Sequence, residues 1–99
     1  MPKAIEEAVN NIKRKIDLYG HDYNAWYIGI AKDVTQKLFV DHKVNDQNGI
    51  WIYIVANTNS DAKEIKNYFE RIGVTFNNSD DDENGLFVFA YKKESFIRQ

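Results

Sequence analysis

Apolar residues recur along the chain with two different spacings, which predict helices in some segments and strands in others. Near the N-terminus the steps are four, three, four and three residues, as on one face of an α-helix. These residues are Ile5, Val9, Ile12, Ile16 and Tyr19. Three shorter runs, residues 25–31, 50–56 and 86–92, are rich in aromatic and β-branched side chains. Such runs predict strands.

Capping residues predict where two further helices begin. Asp33 can accept hydrogen bonds from the free amides of a first turn, and the helix that it opens ends near residues 41–43. Asp61 is the predicted cap of a third helix, which Gly73 ends. The inner face of that helix is formed by Ala62, Ile65, Phe69 and Ile72. The predicted order of elements is therefore α-β-α-β-α-β.

The predicted fold is an α+β domain with a three-stranded central sheet and three helices. Residues 50–56 are apolar on both faces, so we expect their strand to be the central one, covered on each side. Strand direction stays open, because helical crossovers favour parallel neighbours whereas small sheets are often antiparallel or mixed. A length of 99 residues fits one compact domain, expected over residues 1–94, with a frayed tail over residues 95–99.

Composition and charge narrow the class of protein. With 43% hydrophobic and 14% aromatic residues, the chain is expected to be globular rather than disordered. It has no cysteine, which excludes disulfide scaffolds, thiolate zinc sites and cysteine nucleophiles. A net charge of −2 means that any binding of nucleic acid must rest on a local patch. No uncharged apolar run approaches the ~18 residues of a spanning helix, so we expect a soluble, cytoplasmic protein without a membrane partner.

Residues 77–85 form a polar, acidic loop ahead of the last predicted strand. The pattern Asp80-x-Asp82-x-Asn84-Gly85 matches the first six positions of an EF-hand calcium loop. The twelfth position is Tyr91, where a bidentate glutamate is needed, and the residues after the glycine predict a strand instead of a helix. We therefore favour a connector over a calcium site for this loop.

The most informative stretch is WYIGIAKDVTQKLFVDHKV, residues 26–44. A Tyr-Ile-Gly strand is followed by a short turn and by a helix with a basic residue eight positions after the glycine and a histidine five positions later. This arrangement resembles the second half of the GIY-YIG endonuclease superfamily, over about residues 26–72. The resemblance implies hydrolysis of DNA phosphodiesters with one divalent metal ion, Mg²⁺ or Mn²⁺, held by a glutamate on a helix. It also implies that a tyrosine helps to activate water and that an arginine stabilises charge on phosphate oxygens.

Carried over residue by residue, the resemblance gives Tyr27 the role of the tyrosine, Lys37 that of the arginine and His42 that of the histidine. Glu64 is the nearest candidate for the metal-binding glutamate, because Lys66 stands where the family usually has it. Plainer interpretations exist for the same residues. Tyr27 also fits an ordinary sheet aromatic. Lys37 and His42 also fit solvent-facing helix residues, separated by about 140° on an ideal helix.

Three features separate the chain from an active member of that family. No Gly-Ile-Tyr strand precedes residue 26, a lysine replaces the planar guanidinium at position 37, and Lys66 replaces the expected glutamate. Gly85-Leu86-Phe87 has the same order of residue types as the missing Gly-Ile-Tyr strand, with Phe87 in the position of the tyrosine. We therefore predict that residues 86–91 lie beside residues 26–30, as in a circular permutation.

The function that we expect is that of a nucleic-acid-associated, catalytically degenerate GIY-YIG-like domain, which binds DNA rather than cutting it. Two alternatives stay open. One is a small protein-interaction or regulatory module, such as an inhibitor, whose acidic loop contacts a basic protein partner. The other is an active metal-dependent DNA endonuclease, a phosphodiester hydrolase that uses Mg²⁺ or Mn²⁺.

Overall fold

The computed structural model describes residues 3–42, 44 and 49–93, so the expected tail, residues 95–99, lies outside the described residues. Two α-helices, one π-helical segment and three strands confirm the predicted α+β order. In chain order they are α1 Lys3–Asp17, β1 Trp26–Ala31, the π segment Gln36–Asp41, β2 Trp51–Val55, α2 Asn59–Arg71 and β3 Phe87–Lys92. Short 3-10 turns occupy Tyr23–Ala25 and Asn78–Asp80. None of the described helices is long and apolar enough to cross a membrane.

The three strands form one antiparallel sheet in the order β1-β3-β2. The prediction that residues 50–56 hold the central strand is wrong, because β3 lies in the middle and β2 at an edge. One face of β2 packs towards the helices, but Tyr53 and Val55 on its other face stay exposed. An antiparallel sheet tolerates this, since one of its faces can meet solvent. The predicted pairing of the last strand with the first is confirmed, with Gly29 opposite Phe89.

Each face of the sheet has its own apolar core. The helices α1 and α2 cover one face, where Ile12 and Phe69 are fully buried. The π segment packs on the other face through Leu38, which is buried in the same apolar cluster as Phe89 and Tyr91. Polar side chains carried by β1 and by the π segment therefore share one face of the sheet.

Two apolar residues predicted for inner helix faces are exposed instead. Four members of the first stripe are buried as predicted: Ile5, Val9, Ile12 and Ile16. Tyr19 is exposed because α1 ends at Asp17 and the chain then turns away. Ile72 is exposed for the same reason, since α2 ends at Arg71. Each of them follows the last helical turn, so the helical spacing no longer determines its direction.

Of the two predicted helix caps, the structure confirms Asp33 and replaces Asp61 with Thr58. Asp33 accepts a hydrogen bond from the amide of Gln36 at 3.1 Å, as predicted. The cap of α2 is Thr58 rather than Asp61, because the Thr58 hydroxyl accepts from the amide of Asp61 at 3.0 Å. Asp61 lies in the first turn, where its carboxylate interacts favourably with the helix dipole.

The chain between α2 and β3 runs along the outer edge of β1. Thr75 exchanges two backbone hydrogen bonds with β1, at 2.9 and 3.0 Å. Further on, a carboxylate oxygen of Asp81 accepts from the amide of Ile30 at 3.1 Å, and one of Asp82 accepts from the amide of Lys32 at 2.9 Å. The acidic loop is therefore more than a connector, because it satisfies backbone groups that an open sheet edge would leave unpaired.

Candidate functional site

The π segment brings two of the predicted site residues side by side. The amide of His42 donates to the carbonyl of Lys37 at 3.0 Å, a five-residue step instead of the four-residue step of an α-helix. This wider turn brings the two residues to the same side, whereas an ideal α-helix would separate them by about 140°. Their side chains are only 10% and 13% exposed. The interpretation that both face solvent is therefore wrong.

Both side chains converge with Tyr27 on Asp80 of the acidic loop. Oδ2 of Asp80 accepts a hydrogen bond from the Tyr27 hydroxyl at 3.0 Å and lies 2.6 Å from Nε2 of His42. The ammonium group of Lys37 donates to the backbone carbonyl of Asp80 at 2.7 Å and lies 3.7 Å from its Oδ1. It also lies 3.0 Å from Oδ1 of Asp82. We call these five residues, Tyr27, Lys37, His42, Asp80 and Asp82, the Asp80 cluster.

His42 is held through both of its ring nitrogens. Nδ1 lies 2.8 Å from the hydroxyl of Tyr91 on β3, while Nε2 faces Asp80. In the neutral imidazole, Nε2–H donates to the carboxylate and Nδ1 accepts from the hydroxyl of Tyr91. The ring centroids of Tyr27 and Tyr91 lie 4.9 and 5.3 Å from that of the imidazole. The aromatic contacts thus orient the imidazole so that Nε2 can donate to an anion.

Burial and the loop carboxylates set the protonation of the cluster. Burial, reinforced by the negative charge of Asp80, raises the pKa of Tyr27 above its ordinary value of 10.0. Tyr27 therefore keeps its proton at neutral pH and acts as a hydrogen-bond donor. Burial alone would lower the pKa of Lys37, but the contacts with Asp82 and Asp80 outweigh it and raise this pKa above 10.5. Lys37 is therefore a permanent cation at neutral pH.

A second buried ammonium group belongs to Lys66 on α2, whose side chain is 3% exposed. It bonds the carboxylate of Asp81, and it lies 2.9 Å from Oδ1 of Asn78 and 3.2 Å from Oε2 of Glu70. Glu64 is exposed on the same helix, and within the described part of the chain it has no hydrogen bond or ion pair to the Asp80 cluster. The structure thus brings three of the four predicted site residues together and leaves Glu64 apart.

The partners of those three residues and the burial of Lys66 were not predicted from the sequence. One signal was available, because Lys66 lies four residues after Ala62 and so belongs to the apolar stripe of α2. A lysine on such a stripe needs a buried acidic partner. The run of aspartates in the acidic loop could supply that partner, although no local pattern indicates which carboxylate meets which lysine.

The site residues do not fit the divalent metal ion that the resemblance implies. Among residues 3–42, 44 and 49–93, no group of three or more His, Asp and Glu side chains could hold a metal ion. Asp80 and Asp82 contact Lys37, and Asp81 contacts Lys66, so ammonium groups already neutralise the loop. The same contacts leave no free carboxylate pair for the calcium site that the loop pattern suggested.

A scan against protein-family models and searches of curated proteins and of solved structures found no match to the chain. The resemblance to the GIY-YIG superfamily therefore stays a prediction from the motif in residues 26–72. Of these, Tyr27, Lys37 and His42 meet at one place, and Lys66 binds oxygens where a metal-binding glutamate was sought.

Proposed function

We propose that the chain is a nucleic-acid-binding domain with a GIY-YIG-like architecture, and that it binds without metal-dependent cleavage. One observation carries the proposal. Tyr27 on β1, Lys37 in the π segment and His42 at the end of that segment approach a single anionic side chain. A hydroxyl, an ammonium group and an imidazole N–H are donors that fit the oxygens of a phosphate group.

The proposal includes a rearranged strand order. β3 lies antiparallel beside β1, which supports the hypothesis that β3 replaces the strand missing ahead of residue 26. Phe87 then takes the place of a tyrosine, and it has no hydroxyl with which to move a proton. This loss, together with the ammonium group of Lys66 among the carboxylates, supports binding without hydrolysis.

The test is the binding of labelled single-stranded and double-stranded DNA, followed by fluorescence anisotropy. We expect the affinity to fall steeply between about 50 and 200 mM salt, because cationic contacts release counterions from the phosphate backbone. Lys37→Gln should weaken binding, and Lys63→Gln, at an exposed lysine on α2, is the matched control. With Mg²⁺ or Mn²⁺ added, the DNA should stay intact.

Two results would contradict the proposal. If neither form of DNA shows salt-dependent binding, the nucleic-acid function is lost. If metal-dependent cleavage occurs and disappears in the Lys37→Gln chain, the active endonuclease is the better assignment. Circular dichroism of each variant establishes that the change has not unfolded the chain.

An open strand edge favours a second candidate function, a protein-interaction module. The carbonyl of Ile50 accepts from the amide of Lys92 in β3, and the amide of Ala56 donates to the carbonyl of Leu86, directly before β3. The alternating residues Trp51, Tyr53 and Val55 therefore direct their backbone groups to the outer edge of β2. No backbone hydrogen bond from another described residue reaches that edge. Tyr53 and Val55 are 46% and 64% exposed, and β2 carries none of the charges that usually protect an edge.

This candidate predicts that β2 pairs with β2 of a second copy. Antiparallel pairing centred on Tyr53 places Trp51 opposite Val55 and opposes no like charges. Sedimentation should then show concentration-dependent dimers, which Val55→Lys abolishes and Asn67→Lys, at an exposed position of α2, does not. A monomer at every concentration rejects this pairing. A basic protein partner at the acidic loop would instead have to compete with the two buried lysines that the loop already binds.

A further inference from the structure

We propose that the carboxylate of Asp80 occupies a phosphate-binding subsite formed by Tyr27, Lys37 and His42, and that it competes with a phosphate group for these donors. The inference rests on the proposed function and extends it. The natural chain would then hold its own anion in the site, and a phosphate group of a nucleic acid would have to displace that carboxylate.

Asp80 differs from the two aspartates that follow it in the kind of partner it has. The carboxylates of Asp81 and Asp82 accept backbone amides of Ile30 and Lys32, so they hold the loop to the edge of β1. The hydrogen bonds and ion pairs of the Asp80 carboxylate are instead with side chains alone, a phenol, an imidazole and an ammonium group. The loop can therefore stay anchored while this one side chain leaves the site.

The donors surround the Asp80 carboxylate as they would surround two oxygens of a phosphate group. Oδ2 lies 3.0 Å from the Tyr27 hydroxyl and 2.6 Å from Nε2 of His42, while Oδ1 lies 3.7 Å from the ammonium group of Lys37. All three groups can donate a hydrogen bond to an anion at neutral pH. The Asp80 side chain is 26% exposed, so the subsite opens to solvent and a ligand can reach it.

The experiment compares Asp80→Ala and Asp80→Asn with the natural chain, with inorganic phosphate and labelled DNA as separate probes. NMR titration of the His42 imidazole follows phosphate, and fluorescence anisotropy follows DNA. We expect both ligands to bind about tenfold more tightly to the Asp80 variants. Adding His42→Gln should remove the gain in DNA affinity, which fluorescence anisotropy measures without the imidazole signal. Glu83→Gln, which removes the same charge from an exposed neighbour, is the matched control and should leave both affinities unchanged.

The two probes separate failure of this inference from failure of the proposed function. If the natural chain binds DNA and the Asp80 variants bind neither ligand more tightly, the inference is overturned and the proposed function stands. If the variants gain affinity for inorganic phosphate while no chain binds DNA, the subsite is supported and the nucleic-acid function fails. An equal gain in Glu83→Gln would overturn the inference, because net charge would then explain the effect. Asp80→Asn keeps the shape of the side chain, so it decides the outcome if Asp80→Ala does not fold.

Discussion

The ammonium group of Lys66 lies on the inner face of α2, among residues that are otherwise apolar. An unpaired charge in such a place would cost several kcal/mol of free energy. Asp81, Glu70 and Asn78 supply oxygens to this group, and the ring of Phe76 lies 5.3 Å from its nitrogen. The acidic loop thus supplies oxygens that compensate the buried charge of Lys66, and Lys66 supplies the cation that holds the loop against α2.

Replacement of Lys66 by methionine should destabilise the protein strongly. The change keeps the apolar stem but leaves the carboxylates of Asp81 and Glu70 without their cation, for which we expect a loss of about 3–5 kcal/mol in the free energy of unfolding. Urea denaturation measures it. Lys63→Met, at an exposed position of the same helix, should stay within about 0.5 kcal/mol. Equal stability of the two variants would mean that the loop does not need the ammonium group.

At the scale of single residues, the sequence identifies the side chains of the site better than the residues that those side chains contact. The Tyr-Ile-Gly motif with its lysine and histidine identifies three residues that do meet. Their meeting also requires the π-helical turn between Lys37 and His42, which the sequence does not predict. Asp80 could not be assigned to them, since it lies 53 residues from Tyr27 and 38 from His42 along the chain. Contacts of such separation arise from the whole fold and leave no local pattern.

Among the elements, the second helix shows how tertiary contacts change a predicted geometry. The cap at Asp33 and the apolar residues after it predict a helix, and a helical segment is found there. Its five-residue hydrogen bond was not predictable, because every periodicity argument assumes the α-helical turn. The wider turn lets Leu38 enter the apolar core while Lys37 and His42 both reach Asp80.

The strand order could not be predicted either. The apolar sequence of β2 favours a central position, yet β2 lies at an edge and pairs with β3 alone. An antiparallel sheet allows this, because one of its faces can meet solvent. In β1 and β3 the paired residues include Gly29, which lies opposite Phe89. A Cβ at Gly29 would lie 2.6 Å from Cζ of Phe89, so this glycine is needed for the close packing of β1 on β3.

The start of α2 supports a prediction about an element. Thr58→Ala removes the side-chain oxygen that accepts from the amide of Asp61, and we expect it to cost about 1 kcal/mol of stability. Thermal unfolding measures the loss. Ser60→Ala, two residues later and exposed within the helix, is the control and should change the stability little. Equal losses in both variants would contradict the assignment of Thr58 as the cap.

For the whole molecule, the Asp80 cluster predicts a stability plateau that is limited at both ends of the pH scale. Burial would raise the pKa of Asp82, but the Lys32 amide and the Lys37 ammonium group outweigh it and lower this pKa below 3.8. The stability that Asp82 contributes is present above that ordinary value and is lost as the pH falls through the lower folded value. Tyr27 and Lys37 have raised pKa values, so their contribution is complete below 10.0 and 10.5 and is lost at higher pH.

Urea denaturation at a series of pH values tests this plateau. We expect the free energy of unfolding to be nearly constant from about pH 5 to about pH 9 as far as these groups are concerned, and to fall beyond both limits. Tyr27→Phe should lower the plateau, because a hydrogen bond to Asp80 is lost, and should weaken the decrease above pH 10. If the free energy of unfolding falls as steeply above pH 10 in Tyr27→Phe as in the natural chain, the titration of Tyr27 does not cause that decrease.

Of the three strands that the described residues form, β3 comes last in the sequence, yet β1 and β2 each pair with it and not with each other. A polypeptide made from its N-terminus therefore presents two apolar strands before their common partner has left the ribosome. The sheet can close only in a late step, once residues 87–92 emerge, and until then both segments are open to chaperones and to aggregation. A nascent chain stalled ahead of residue 87 would have the sequences of both helices but no sheet on which to pack them.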